Sequence, residues 1–312
     1  MTLRTLFEAS TLLFLSINLS AQMPGFPDQG NNGVMKGSHI QHHIPTKRVV
    51  NYPYLRNADV MWAKRVWRTI DLRQKQNYAL YYPLEPISQD RMSLFDVIKY
   101  GALTEGSLTI YDYKNGVYND DQFRFPVLRQ SAETNEEYHL RLESFFGEKL
   151  LTPVIDPMTG AVVYDENGIE MMDTVVNLYT AKDIIKYEIK EDWFFDKQRS
   201  VMDVRIIGIA PIVNYVDQKT NAVLGTKTLF YLYFPECRYL FQNFFVYNPH
   251  NDAQRMSFDD LFWKRDFSSY IHKESNVYDR SIDPNHRGVD ALLESERIKL
   301  DLFILEHDLW NL

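Results

Sequence analysis

Four groups of residues in this chain have types and spacings that could support chemistry. His39, His42 and His43 could hold a metal ion, but they lack the carboxylates and the spacing of a defined site, and a solvated linker accounts for them. Asn119-Asp120-Asp121 could attract a cation, yet the ligand series of a calcium loop is missing, so a polar strand end is expected. Cys237, the only cysteine, stands in "LFYLYFPECRYLF" without a His or Lys beside it to activate a thiolate, and is expected to be a partly buried small residue. The acids of "DDQF", "KEDWFF" and "FDDLF" are the raw material for a two-carboxylate glycosidase, but no pair stands out, and turns and helix caps explain them. Gly-rich phosphate loops, zinc spacings and Ser/His/Asp arrangements are not found in the sequence. These residues predict no catalytic, cofactor or metal site.

Chemistry of contact is better represented. "RNADVMWAKRVWRTIDLRQKQNYALYYP", Arg56 to Pro83, reads as one helix. At 100° per residue Trp62, Ala63, Val66, Trp67 and Ile70 share an arc that can pack on a core. Lys64, Arg65 and Arg68 fall opposite, together with Met61 and Leu72. Cations mixed with apolar residues belong to docking faces more than to solvated ones, so Met61, Lys64, Arg65, Arg68 and Leu72 are candidate partner-binding residues. A plain solvated face remains the alternative.

"GVDALLESERIKLDLFILEHDLWNL" is a second helix, apolar on two sides. Leu292, Leu293, Leu300, Phe303 and Ile304 form its broad face; Ala291, Ile298, Leu302 and Leu305 form a narrower one. Such a helix is either deeply buried or bridges its domain to a neighbour. The second arrangement is expected, with Ile298, Leu302 and Leu305 as candidate contacts in an assembly.

Elements that would position these residues can be read along the 312-residue chain. Residues 1–21 read as a signal peptide, with an n-region, a short apolar run and a cleavage site at Ser20-Ala21-Gln22 cut after Ala21. Residues 22–55, rich in Pro, Gly and Asn, are expected to form an extended arm. Residues 56–287 read as an α+β core domain of short helices and antiparallel strands, and 288–312 as the C-terminal amphipathic helix. Ser93 and Ser257 open helices; Asn115-Gly116 turns a hairpin; a helix starts near Thr180. "SVMDVRIIGIAPIVNYVD" and "AVLGTKTLFYLYFP" pair as long strands, with Pro211 marking a bulge or an edge. A net charge of −8 disfavours nucleic acid as a partner, and no apolar run is long enough to span a membrane. An export signal without an internal disulfide points to the periplasm.

The block from Arg56 to Pro83, with "SLFDVIKYGALTEGSLTIYD", "NDDQF" and "YEIKEDWFFDKQRSVMDVRIIGIAP", resembles the GldN (PorN) family of gliding-motility and type IX secretion proteins of the Bacteroidota. The resemblance implies a non-enzymatic structural subunit of a periplasmic ring. Such a subunit pairs with an outer-membrane lipoprotein of the K type and couples to the periplasmic part of an inner-membrane motor of the M type. It supports export of proteins with C-terminal sorting signals, and would contact neighbouring subunits in a closed ring. From the residues alone, a periplasmic glycan-binding or glycan-cleaving protein is the alternative, its Tyr and Trp stacking on sugars.

Overall fold

Val60–Asp71 is a β-strand, not the expected helix. Val60, Trp62, Val66, Trp67, Thr69 and Ile70 are β-branched or aromatic, residues that fit a pleated sheet better than a helical turn. Within the block helix is confined to its ends: a 3-10 turn over Asn57–Asp59 before the strand, and beyond it a 3-10 turn over Lys75–Asn77 and one short α-turn, Tyr78–Tyr81.

The computed structural model describes residues 48–86, 91–115, 118–153, 172–216, 222–249, 251, 254–283 and 286–309. The signal peptide, most of the arm and His39, His42 and His43 lie outside them. The described residues all belong to one compact unit. Its strands are β1 (Val60–Asp71), β2 (Ile110–Tyr111), β3 (Lys114–Asn115), β4 (Tyr118–Asn119), β5 (Gly147–Pro153), β6 (Met172–Leu178), β7 (Ile184–Asp196), β8 (Val201–Val216), β9 (Val223–Thr228), β10 (Tyr231–Tyr233), β11 (Phe245–Val246), β12 (Met256–Ser257) and β13 (Tyr270–Glu274). Its helices are α1 (Tyr78–Tyr81), α2 (Leu94–Lys99), α3 (Asn135–Glu143), α4 (Phe234–Phe241), α5 (Phe258–Lys264) and α6 (Val289–Leu309). The α+β class read from the sequence is the class observed.

The main sheet has seven strands in the order β13-β1-β7-β8-β10-β2, with β9 also paired to β8. Every pairing in it is antiparallel. A 3-10 turn over Ala181–Asp183, closed by a Thr180–Asp183 capping box, replaces the helix expected from Thr180. The cap signal is real, but Ile184 and Ile185 turn the chain into β7 at once. Pro211 is tolerated inside β8 because its missing N–H falls where β9 gives way to β10: Ile212 pairs with Thr228 and Ile209 with Leu232. Ser93 caps α2 by accepting from the Asp96 N–H, and Ser257 caps α5 through Asp260.

Two apolar cores sit on the sheet. The larger gathers Ile70, Leu72, Leu94, Phe146, Ile189, Phe230, Phe241 and Phe262 with the short helices. Burying each such side chain contributes about 1.5–3 kcal/mol, and with Cys237 a free thiol there is no disulfide to add to it among the described residues. The smaller core joins Val66, Ile271, Ile282, Ile298 and Leu302, and thereby fixes α6 against β1 and β13.

Candidate partner-binding surfaces

Within β1 successive side chains alternate between faces, and its cations are matched laterally rather than turned outward. Arg65 lies opposite Asp192 of β7, and its Nε and Nη2 donate to the two carboxylate oxygens at 2.5 and 2.7 Å. The Lys64 ammonium is 2.7 Å from Glu274 of β13. Arg68 is buried, its Nε donating to Ser269 Oγ at 3.0 Å; burial pushes its pKa below the ordinary value, against the pull of Glu191. Leu72 is buried in the larger core. Of the five β1-region candidates only Met61, 58% exposed, stands largely free of the fold. The sheet therefore brings Lys64, Arg65 and Arg68 onto partners in this chain instead of presenting them as one cationic stripe.

A further relation in β1 escapes the sequence. The loop carrying Asp120, Asp121 and Phe123 covers one face of the sheet, and a Cβ at Gly208 would approach Phe123 Cζ to 2.6 Å. Beneath it the Lys190 ammonium lies 5.5 Å from both the Trp67 and Phe123 ring centroids and donates to the Asp121 carbonyl at 2.6 Å. Lys273 lies against the same indole at 4.4 Å, and the Trp67 Nε1–H donates to Asp121 Oδ2 at 2.9 Å. Burial lowers the Lys190 pKa, with Asp121 opposing the shift. A tryptophan that counts as helix core in sequence is thus the centre of a lysine–indole stack across three strands.

The two stripes of α6 divide differently from expectation. Ile298 and Leu302 are buried on Val66 and Ile271, and Leu305 is half-buried, so the narrow stripe holds the helix to its own domain. The Ile271 N–H donates to the buried Ser295 Oγ at 3.0 Å, pinning the same side. The broad stripe is the uncovered one: Leu292, Leu293, Leu300, Phe303 and Ile304, with Val289, are each more than half exposed.

The described end of the arm is docked. Tyr52 stacks on Trp263 with centroids 5.5 Å apart, and the Arg238 and Arg205 guanidinium groups approach its ring to 4.6 and 5.2 Å. The Arg205 Nη2 also donates to the Pro53 carbonyl at 2.6 Å. A cavity of about 430 Å³ lies beside this contact, between β8 and the helices α4 and α5. Its cations are committed: Arg238 to Asp259 at 2.8 Å, Arg199 to Asp196 and Asp203, and Arg265 to Glu191. The acids that could serve a hydrolase are engaged in the same way. Asp120 pairs with Arg124, Asp192 with Arg65, and Asp260 caps α5. Burial pushes the Cys237 thiol far up, leaving it an inert core residue. Among the described residues no three His, Cys, Asp or Glu side chains converge as metal ligands, and no helix is long and apolar enough to cross a membrane.

No curated protein matches the chain. A family model described as gliding motility associated protein GldN matches residues 55–311, which include the whole main sheet and α6. The chain therefore belongs to the GldN family of gliding-motility-associated proteins, the family of the gliding and type IX secretion machinery that its β1 and β7 sequences resemble.

Proposed function

We infer that this protein is a non-enzymatic structural subunit of the periplasmic ring of the type IX secretion and gliding machinery. In this reading it sits at the inner face of the outer membrane through a K-type lipoprotein. It also contacts neighbouring subunits and the periplasmic part of the M-type motor, and it supports export of proteins with C-terminal sorting signals. Family membership supplies the machinery. The observation that carries a scaffold role is the uncovered apolar face of α6, held rigidly on a domain whose candidate acids are tied to arginines or caps. Contiguous apolar surface left outside a well-packed core marks a contact site.

Co-expression of the chain with its partner lipoprotein, mild detergent extraction and negative-stain imaging tests this. Closed rings containing both proteins are the expected result. A monodisperse monomer that ignores the lipoprotein overturns the reading.

A further inference from the structure

We propose that the broad face of α6 is the docking surface for a cationic amphipathic helix of another protein. The face is broad: at 100° per residue Val289, Leu292, Leu293, Leu300, Phe303 and Ile304 fall within one third of the helix circumference, an arc that also holds the exposed Glu296, paired with Lys299, and His307. Six large side chains, each more than half exposed, leave apolar area on the order of several hundred Å², the scale of the largest patches on an ordinary monomer. The opposite stripe is locked by Ile298, Leu302 and the Ser295–Ile271 hydrogen bond, so the face is presented without further ordering cost.

Charge selects the occupant. From Val289 to Leu309 the helix carries six acids, Asp290, Glu294, Glu296, Asp301, Glu306 and Asp308, against Arg297 and Lys299, a net charge of −4. Arg297 is already held by Glu294 and Asp301, and Lys299 by Glu296. Asp290, Glu306 and Asp308 have no cation partner among the described residues, and they lie towards the two ends of the face. A second copy of α6 would bring −4 against −4, and an anionic lipid surface would be repelled likewise. A helix with Leu or Ile on one face and Lys or Arg along its margins satisfies both features. This deepens the scaffold reading and rests on it for the existence of such a partner.

The test uses the full chain and labelled 21-residue Leu/Lys amphipathic peptides, with binding followed by fluorescence anisotropy. Controls are the same peptide with Glu for Lys, a scrambled Leu/Lys peptide and phosphatidylethanolamine–phosphatidylglycerol vesicles. The amphipathic Lys peptide is expected to bind at least tenfold tighter than either control peptide, and to weaken as salt rises. Leu300→Gln with Phe303→Gln should abolish that preference while leaving the thermal melt of the chain unchanged. Equal binding of the peptides, no binding, insensitivity to the double variant, or preference for vesicles would each overturn the proposal. So would a dimer in sedimentation that the double variant splits, since the occupant would then be a second copy. Ring formation with the lipoprotein is scored separately, so loss of rings counts against the scaffold reading and loss of the peptide preference against this surface.

Discussion

Arg265 Nη2 donates to both carboxylate oxygens of Glu191, at 2.7 and 2.9 Å, and Glu191 is wholly buried between β1 and β8. Arg265 follows the last turn of α5 with φ +56°, the left-handed position that glycine usually fills at a helix end. The side chain is retained there because its guanidinium neutralises an acid the sheet cannot expose; the Trp193 Nε1–H supplies a further donor at 3.1 Å.

Removing one partner of a buried pair leaves the other uncompensated. Arg265→Ala is expected to destabilise the fold by about 3 kcal/mol. Arg265→Gly removes the same charge but relieves the left-handed strain, so it should be milder by about 1 kcal/mol. Urea unfolding of the two variants beside wild type checks both the size and the order.

The stripes of α6 predict opposite outcomes. Ile298→Ala or Leu302→Ala empties the smaller core and should cost about 2–4 kcal/mol. Phe303→Ser alters only exposed surface and should fall within about 0.5 kcal/mol of wild type. Denaturant midpoints at constant slope distinguish them; equal losses would mean that the broad stripe is packed as well.

Charge reversal in β1 should act on folding first. Arg65→Glu breaks a part-exposed pair with Asp192 and is expected to cost about 1 kcal/mol. An added Asp192→Arg should recover most of that loss. Arg68→Glu places an acid in a buried site near Glu191 and should cost about 3 kcal/mol or more. A folded Arg68→Glu chain with a wild-type melt would refute the buried assignment.

Alkaline stability should depend on Tyr231. Burial raises its pKa well above the ordinary value, and Glu188, which accepts from its hydroxyl, raises it further. The folded chain therefore keeps this proton where the unfolded chain has lost it, and the unfolded state binds fewer protons. Stability is complete below about pH 10 and falls above it, by up to about 1.4 kcal/mol per pH unit for one tyrosine. Tyr187, raised by burial, adds a second slope of the same sign. Tyr231→Phe should lower stability at pH 7 by about 1 kcal/mol through the lost hydrogen bond, yet flatten the decline between pH 10 and 11. Urea titrations at stepped pH measure both.

Local chemistry was written plainly in the sequence. Ser93 and Ser257 set helix starts because a hydroxyl and an N–H three residues on satisfy each other without distant help. The α6 helix was legible from its period, and the long β8 strand from its β-branched run despite Pro211. Family membership was also legible, since the blocks around β1 and β7 lie within the matched region. What the sequence left open is what the tertiary structure decided, because it depends on residues far along the chain. Lys64, Arg65 and Arg68 appear as a cationic helix face until β7 and β13 bring Asp192 and Glu274 beside them, more than a hundred residues later. Buried on both faces over its second half, β1 shows no simple apolar–polar alternation, so its period resembled a helix. The two stripes of α6 are both apolar, and hydrophobicity alone does not rank them. Shape did: Ile298 and Leu302 fit over Val66 and Ile271, and the larger stripe was left facing out.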